Sequence, residues 1–150
     1  MFAEVMRDDF YRAYRIRLER LLGISREKSA QDIHELIQAG FASQTVNTLM
    51  QLQLQASSDS DQISEIQMLL NQRAAPNGRM SVLESDRLFR FGHITAMAQV
   101  IFGDDTKAMR WLSKPKKGLG GRKPYELLST TPGTQEVERM LIKVSEPFAL

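Results

Sequence analysis

Apolar residues recur along most of this chain at three- and four-residue intervals, the spacing that gathers them on one face of a helix. The first stripe is Phe10, Tyr14, Leu18, Leu21 and Leu22, with Gly23 as its stop. Arginines fall between these positions, mostly on the side expected to face solvent. Ser29-Ala-Gln-Asp32 reads as an acidic variant of a capping box, opening a helix with Ile33, Leu36 and Ile37 on one face. Gly40 closes that helix, as a residue tolerant of positive φ should. A third helix is predicted from about Ser43, with Val46, Leu49, Met50 and Leu54 turned inward. The polar run 57–61 then leads into a helix carrying Ile63, Ile66, Leu69 and Leu70, and Pro76-Asn-Gly78 breaks it.

Beyond that break, Leu88, Phe91, Thr95, Ala98 and Phe102 share a face of a long helix opened by Leu83-Glu-Ser-Asp-Arg-Leu88. Gly103-Asp-Asp105 ends it and caps a short helix from Thr106 to Leu112. Pro115 and Gly118-Leu-Gly-Gly121 make a loop, and Pro124 sits at the first turn of a brief helix through Leu128. Thr131 and Pro132 form a cap and first-turn pair for a final helix to Val144, with Val137, Leu141 and Val144 aligned. No segment reads as a strand and none repeats. The fold class predicted is all-α: a helical, helix-turn-helix-like region over 1–78, then a small helical domain over 79–150 that ends in an extended tail.

Composition narrows the chemistry. The 150 residues are 42% hydrophobic and 25% charged, ordinary for a globular chain of one domain or two small ones. There is no cysteine, which excludes disulfides and thiolate zinc sites. His34 and His93 leave little for a metal centre or a histidine-based catalytic pair, so neither a metal nor a cofactor is expected. No apolar run approaches the ~18 residues that span a bilayer. The start of the chain is acidic early and lacks the basic-then-apolar order of a secretory signal, so a cytoplasmic protein without a membrane partner is expected. Net charge is only +2, but its distribution is uneven. Cations crowd the first helix, from Arg7 to Lys28, vanish until Arg73, and return densely from Lys107 to Lys123. Any phosphate-binding surface must draw on those ends.

One stretch is specific where the rest is generic. Phe102-Gly-Asp104, Lys107-Ala108, Trp111-Leu112, Pro115, Leu119-Gly-Gly121, Pro124, Leu127-Leu128, Thr130, Gly133, Val137 and Leu141 succeed one another at fixed offsets, after the phrase Glu84-Ser-Asp-Arg-Leu88. Together they resemble the C-terminal domain of the Xre/MbcA/ParS-type antitoxins, well over Leu83 to about Val144 and more loosely over the whole chain. The resemblance implies an antitoxin of a type II toxin–antitoxin system, a binding module and not an enzyme. Its expected partner is a RES-domain toxin that depletes NAD+. It also implies a homodimer or higher oligomer, and repression of its own operon through an N-terminal helix-turn-helix.

The candidate toxin-binding residues are Trp111, Leu119, Gly120, Gly121 and Arg122 around the glycine loop, and Lys143, Val144, Phe148 and Leu150 towards the end. In this family the C-terminal segment lies over the toxin's active site, with a basic residue where Lys143 falls here. The position where the family often shows an aromatic-glycine pair holds Glu146-Pro147. Glycines let backbone approach a partner closely, and Trp111 and Tyr125 offer large amphipathic area of the kind enriched in interface hot spots. Both aromatics are equally suited to a core, and Gly120-Gly121 to a bare turn. The loop is not a phosphate-binding loop: no strand precedes it and no Lys-Ser/Thr comes after it.

For operator DNA, family members place an Arg-rich helix just before the Glu-Ser-Asp-Arg-Leu phrase. Here that position offers Arg73 and Arg79, with Gln67 and Gln72 able to read adenine edges, although Pro76 would shorten such a helix. An alternative is a helix-turn-helix transcriptional regulator whose C-terminal half only dimerises. A RES-domain toxin gene beside this one separates the two. An enzyme is disfavoured by the want of a nucleophile or His-carboxylate constellation; Asp104-Asp105 reads as a helix cap.

Overall fold

The computed structural model describes residues 8–56 and 78–145, with Gln67 described singly. Among the described residues six α-helices carry the fold: α1 (Asp8–Leu22), α2 (Ala30–Ala39), α3 (Gln44–Ala56), α4 (Val82–Phe102), α5 (Asp105–Leu112) and α6 (Thr131–Ser145). A 3-10 turn at Lys117–Leu119 and a 3-10 helix at Pro124–Ser129 lie between α5 and α6. Among the described residues there is no strand, only isolated bridges pairing Ala42 with Arg79 and Lys116 with Arg122. The fold class is all-α, as the periodicity predicts. Among the described residues no helix is long and apolar enough to cross a membrane.

Helix ends form where local chemistry dictates. Ser29 and Asp32 make a complete capping box: the Asp32 amide donates to Ser29 Oγ at 3.1 Å and the Ser29 amide to Asp32 Oδ2 at 3.0 Å. Gly40 satisfies the end of α2 at φ 86°, donating to the Leu36 and Ile37 carbonyls. Ser81 and Glu84 repeat the box at the start of α4, and Gly103 closes that helix in the left-handed region. Asp104 caps α5 by accepting from the Lys107 amide at 3.0 Å. The cap of α6 is Thr130 rather than Thr131: its Oγ1 accepts from Gly133 N at 3.1 Å and its carbonyl from Thr134 N at 3.0 Å. Pro132 therefore enters inside the first turn, where its missing N–H costs nothing. The brief helix expected after Pro124 is present as the 3-10 form.

The organising element is α4. It packs against α1, α2, α5, α6 and the Pro124–Ser129 helix, and ten of its residues are buried, including Leu88, Phe91, Ile94, Met97 and Ala98. Burial on nearly every side replaces the single stripe that the spacing suggests; only Phe102, at the solvent end of that stripe, is half-buried. One apolar cluster runs from Tyr14, Leu18 and Leu21 of α1 through α4 to Val137 and Leu141 of α6.

Two expectations are corrected. Leu54 is 54% exposed, while Gln53 beside it is buried, because α3 is rotated so that Leu49, Met50 and Gln53 face the core. Arg15 is not on the solvent side of α1. It is buried, and its guanidinium donates to the Lys28 and Ser25 carbonyls at 2.9 Å each, tying down the α1–α2 connection. Apart from Gln67, which is helical, the predicted helix around Ile63 to Leu70 and the break at Pro76 lie outside the described residues. Gly78, just past that break, has φ 73°.

The phrase Glu84-Ser-Asp-Arg-Leu88 acquires a role for most of its members. Glu84 completes the capping box. Ser85 Oγ, fully buried, accepts from the Phe41 amide at 2.9 Å and pins α4 to the α2–α3 junction. Asp86 pairs with Arg90, whose Nε in turn donates to the Leu128 carbonyl at 2.9 Å, and Leu88 enters the core. Across the middle of α4, Tyr14 Oη and His93 Nδ1 lie 2.6 Å apart, and His93 Nε2 lies 3.3 Å from Glu138 Oε2. Burial pushes the Tyr14 phenol well above its usual range, so it stays protonated. That chain of contacts joins α1, α4 and α6.

Candidate functional site

The surface that the sequence singles out is built by α5, the loop to the Pro124–Ser129 helix, and α6. Its foundation is buried. Ala108, Met109 and Leu112 turn α5 inward, and Tyr125 stacks on Phe91 with ring centroids 4.7 Å apart and planes 13° from parallel. Tyr125 Oη donates to Met109 Sδ at 3.4 Å, and burial raises its phenol pKa. Tyr125 is therefore a core residue, and the ambiguity between core and contact area is settled for it by packing.

Trp111 is different. It is half-buried, tilted against Phe102 at 5.8 Å between centroids, and Lys116 Nζ sits 4.8 Å above its ring. Partial burial pushes the Lys116 ammonium pKa down, with Lys114 adding repulsion. An amphipathic ring held by one aromatic neighbour and roofed by a cation still presents an edge to solvent.

The glycine loop is a closed turn. The Lys116 amide donates to the Arg122 carbonyl at 3.0 Å, and the Gly121 amide returns to the Lys116 carbonyl at 2.9 Å. Gly120 and Gly121 stand exposed at φ 66° and 80°, a conformation that side-chain-bearing residues adopt only with strain. Leu119 is the inward anchor of the turn, buried in the core cluster. Arg122 is exposed. So the structure brings Trp111, Gly120, Gly121 and Arg122 onto one loop-and-helix surface, with Leu119 spent on packing beneath it.

Helix α6 supplies the other part. Thr134, Val137 and Leu141 are buried, after which Lys143 is exposed and Val144 half-buried as the helix ends at Ser145. Phe148 and Leu150 lie outside the described residues.

Of the residues expected to meet DNA, Gln72 and Arg73 also lie outside the described residues, and Gln67 is helical and exposed. Arg79 is placed against the α2–α3 connection: its guanidinium donates to the Gly40 carbonyl at 3.0 Å, and Met80 N donates to the Phe41 carbonyl at 2.8 Å. Asp105, read from the sequence as half of a helix cap with Asp104, is instead an ion-pair partner, and its pairing with Arg17 and Arg20 is what sequence reasoning passes over. Asp105 accepts from Arg17 at 2.6 Å and lies 3.3 Å from Arg20, tying α5 to α1. No local signal marks that pairing, since the partners are more than eighty residues apart.

Comparison with known proteins agrees with this geometry. Residues 97–145 match the family model described as the antitoxin Xre/MbcA/ParS C-terminal toxin-binding domain. The chain is 43% identical over 150 residues to antitoxin Xre of Pseudomonas putida, covering 100% of this chain and 94% of that protein. It is 44% identical over 69 residues to antitoxin Xre of Yersinia enterocolitica, covering 45% of this chain and 47% of the relative. A similar protein from Photorhabdus laumondii, also an antitoxin Xre, is 31% identical over 75 residues, 49% of this chain and 51% of its own. The matched segment begins in the second half of α4 and takes in α5, the glycine turn and α6, the same elements that build the surface described above. The chain belongs to the Xre/MbcA/ParS antitoxin family and is the antitoxin of a toxin–antitoxin system.

Proposed function

We propose that this antitoxin neutralises a RES-domain, NAD+-depleting toxin by direct contact, using the α5–loop–α6 surface and the segment from Lys143 to Leu150 laid over the toxin's active site. The protein does this as a binding partner, without catalysis of its own. The observation that carries the reading is the way α6 ends. Leu141 is its last fully buried residue, and Lys143 then emerges exposed at the point where the helix stops. A rigidly anchored helix can aim the residues beyond its end, and a cation with two apolar side chains and a carboxylate suits a nucleotide cleft by shape and charge.

The second part of the proposal is autorepression. The 1–78 region, with Gln67, Gln72 and Arg73, together with Arg79 just past its boundary, would contact operator DNA as a homodimer or higher oligomer. Dimerisation doubles half-site contacts that are individually weak. Functional division between 1–78 and 79–150 is then a division of surfaces on helices that share α4 as their support.

Truncation tests the first part. The chain ending at Ile142 should fold, because the buried residues of α6 are retained, yet should fail to restore growth to cells expressing the toxin. Full rescue by the truncated chain overturns the assignment of the tail.

A further inference from the structure

Between Thr106 and Lys123 the chain carries seven lysines and arginines and no carboxylate. Three of them are arranged. Lys107 and Arg110, at i and i+3, stand on the side of α5 opposite the buried Ala108, Met109 and Leu112, and Lys114 follows just past the end of the helix. All three are exposed, and none enters an ion pair among the described residues. The two carboxylates at the start of α5 are already engaged. Asp104 caps the helix, and Asp105 is held by Arg17 and Arg20.

Lys107 and Arg110 feel the Asp104 carboxylate, yet the three cations together keep an excess of positive charge and gain from a polyanion. The charge on this side suits nucleic acid. The exposed large apolar side chains among the described residues are Ile16, Leu54, Val82 and Leu83, none of them on α5 or the loop after it. A DNA interface is polar and strongly positive. Position points the same way. Thr106 Oγ1 donates to the Ala56 carbonyl at 2.9 Å, so the row starts at the C-terminal end of α3, where the chain enters the segment assigned to operator contacts. A duplex presents a phosphate charge about every 1.7 Å along its axis, so neighbouring cations can each meet one.

We propose that Lys107, Arg110 and Lys114 form a phosphate-contact ridge for duplex DNA, within the half of the chain that carries the toxin-binding match. The ridge supplies affinity without sequence preference, and Gln67, Gln72, Arg73 and Arg79 supply whatever preference there is. It deepens the operator-binding reading and rests on it for its biological role.

The test uses the full-length chain and two short duplexes, one from upstream of its gene and one with that sequence scrambled, with affinity measured against salt. The K107Q/R110Q/K114Q variant should lower the slope of log affinity against log salt by about 2–3 per bound chain on both duplexes, at ~0.9 per phosphate contact. Its melting temperature should be unchanged. The single variant R110Q, a milder change, should lower the slope by about 1. An unchanged slope while the upstream duplex is still preferred overturns the ridge and leaves operator binding standing. A slope that falls as expected with no preference for the upstream duplex supports the ridge and removes the operator reading. Absence of binding to either duplex by the wild-type chain overturns both. Loss of toxin co-elution with an unchanged DNA slope overturns the ridge by making these cations a toxin-docking surface.

Discussion

Gly133 shows how a single position can hold the candidate surface together. It is buried in the first turn of α6, and a Cβ built there would lie 2.0 Å from the Leu127 carbonyl oxygen. The obstruction is backbone, which cannot swing aside as a side-chain tip can. Gly133→Ala should therefore destabilise the chain by roughly 1–3 kcal/mol, the range for inserting volume into a packed site. Equilibrium urea unfolding reads this directly, and an unshifted midpoint would show that the 3-10 helix and α6 can separate without cost. Residue roles of this kind are only partly legible in the sequence. Trp111 and Tyr125 are both aromatic and both near helix ends, yet one is half-buried under Lys116 and the other is sealed against Phe91. Composition cannot separate them, because the difference lies in what α4 places opposite. Arg15 escapes the pattern for the same reason: its acceptors are carbonyls of a turn ten and thirteen residues away, which no periodicity announces.

At the scale of elements, ends are more legible than faces. Ser29 with Asp32, Gly40, and Gly103 with Asp104 act within a few residues of themselves, so the pattern that predicts them also builds them. The cap of α6 differs from expectation by one residue because Thr130 and Thr131 are adjacent and chemically alike. Faces depend on neighbours. An element buried on almost every side, as α4 is, loses the one-stripe signature, and α3 turns Gln53 inward and Leu54 outward. The caps carry a consequence for acid stability. The Ser29 amide and then its hydroxyl hold the Asp32 carboxyl pKa down, and the Lys107 amide does the same for Asp104. Folded values below unfolded ones favour the charged form in the native state. Their stabilisation is therefore full above the unfolded value and is lost as pH falls through the folded one. Thermal melts from about pH 6 to pH 3 should show Tm declining below about pH 4. The D32N/D104N variant, which keeps acceptors but cannot titrate there, should show a shallower decline. Parallel curves would mean that other carboxylates govern the acid limb.

For the whole molecule, the antitoxin surface and the expected DNA-binding region share one support. Helix α4 is gripped by α1 and α2 on the N-terminal side of the chain and by α5, the 3-10 helix and α6 on the C-terminal side. Membership of the antitoxin family is legible in the run from Phe102 to Leu141, because several of its members have fixed structural duties: Gly103 and Asp104 at a helix junction, Gly120 and Gly121 at positive φ, Gly133 against a carbonyl. The partner surface itself is legible only as a set of positions, since exposure is decided by packing. The central claim is neutralisation by contact, and co-expression of the intact chain with the RES-domain toxin proposed as its partner tests that claim most directly. Growth and cellular NAD+ should be preserved, with the two proteins eluting as one species. Cell death and NAD+ loss in the presence of abundant intact chain, with the proteins eluting separately, would contradict it.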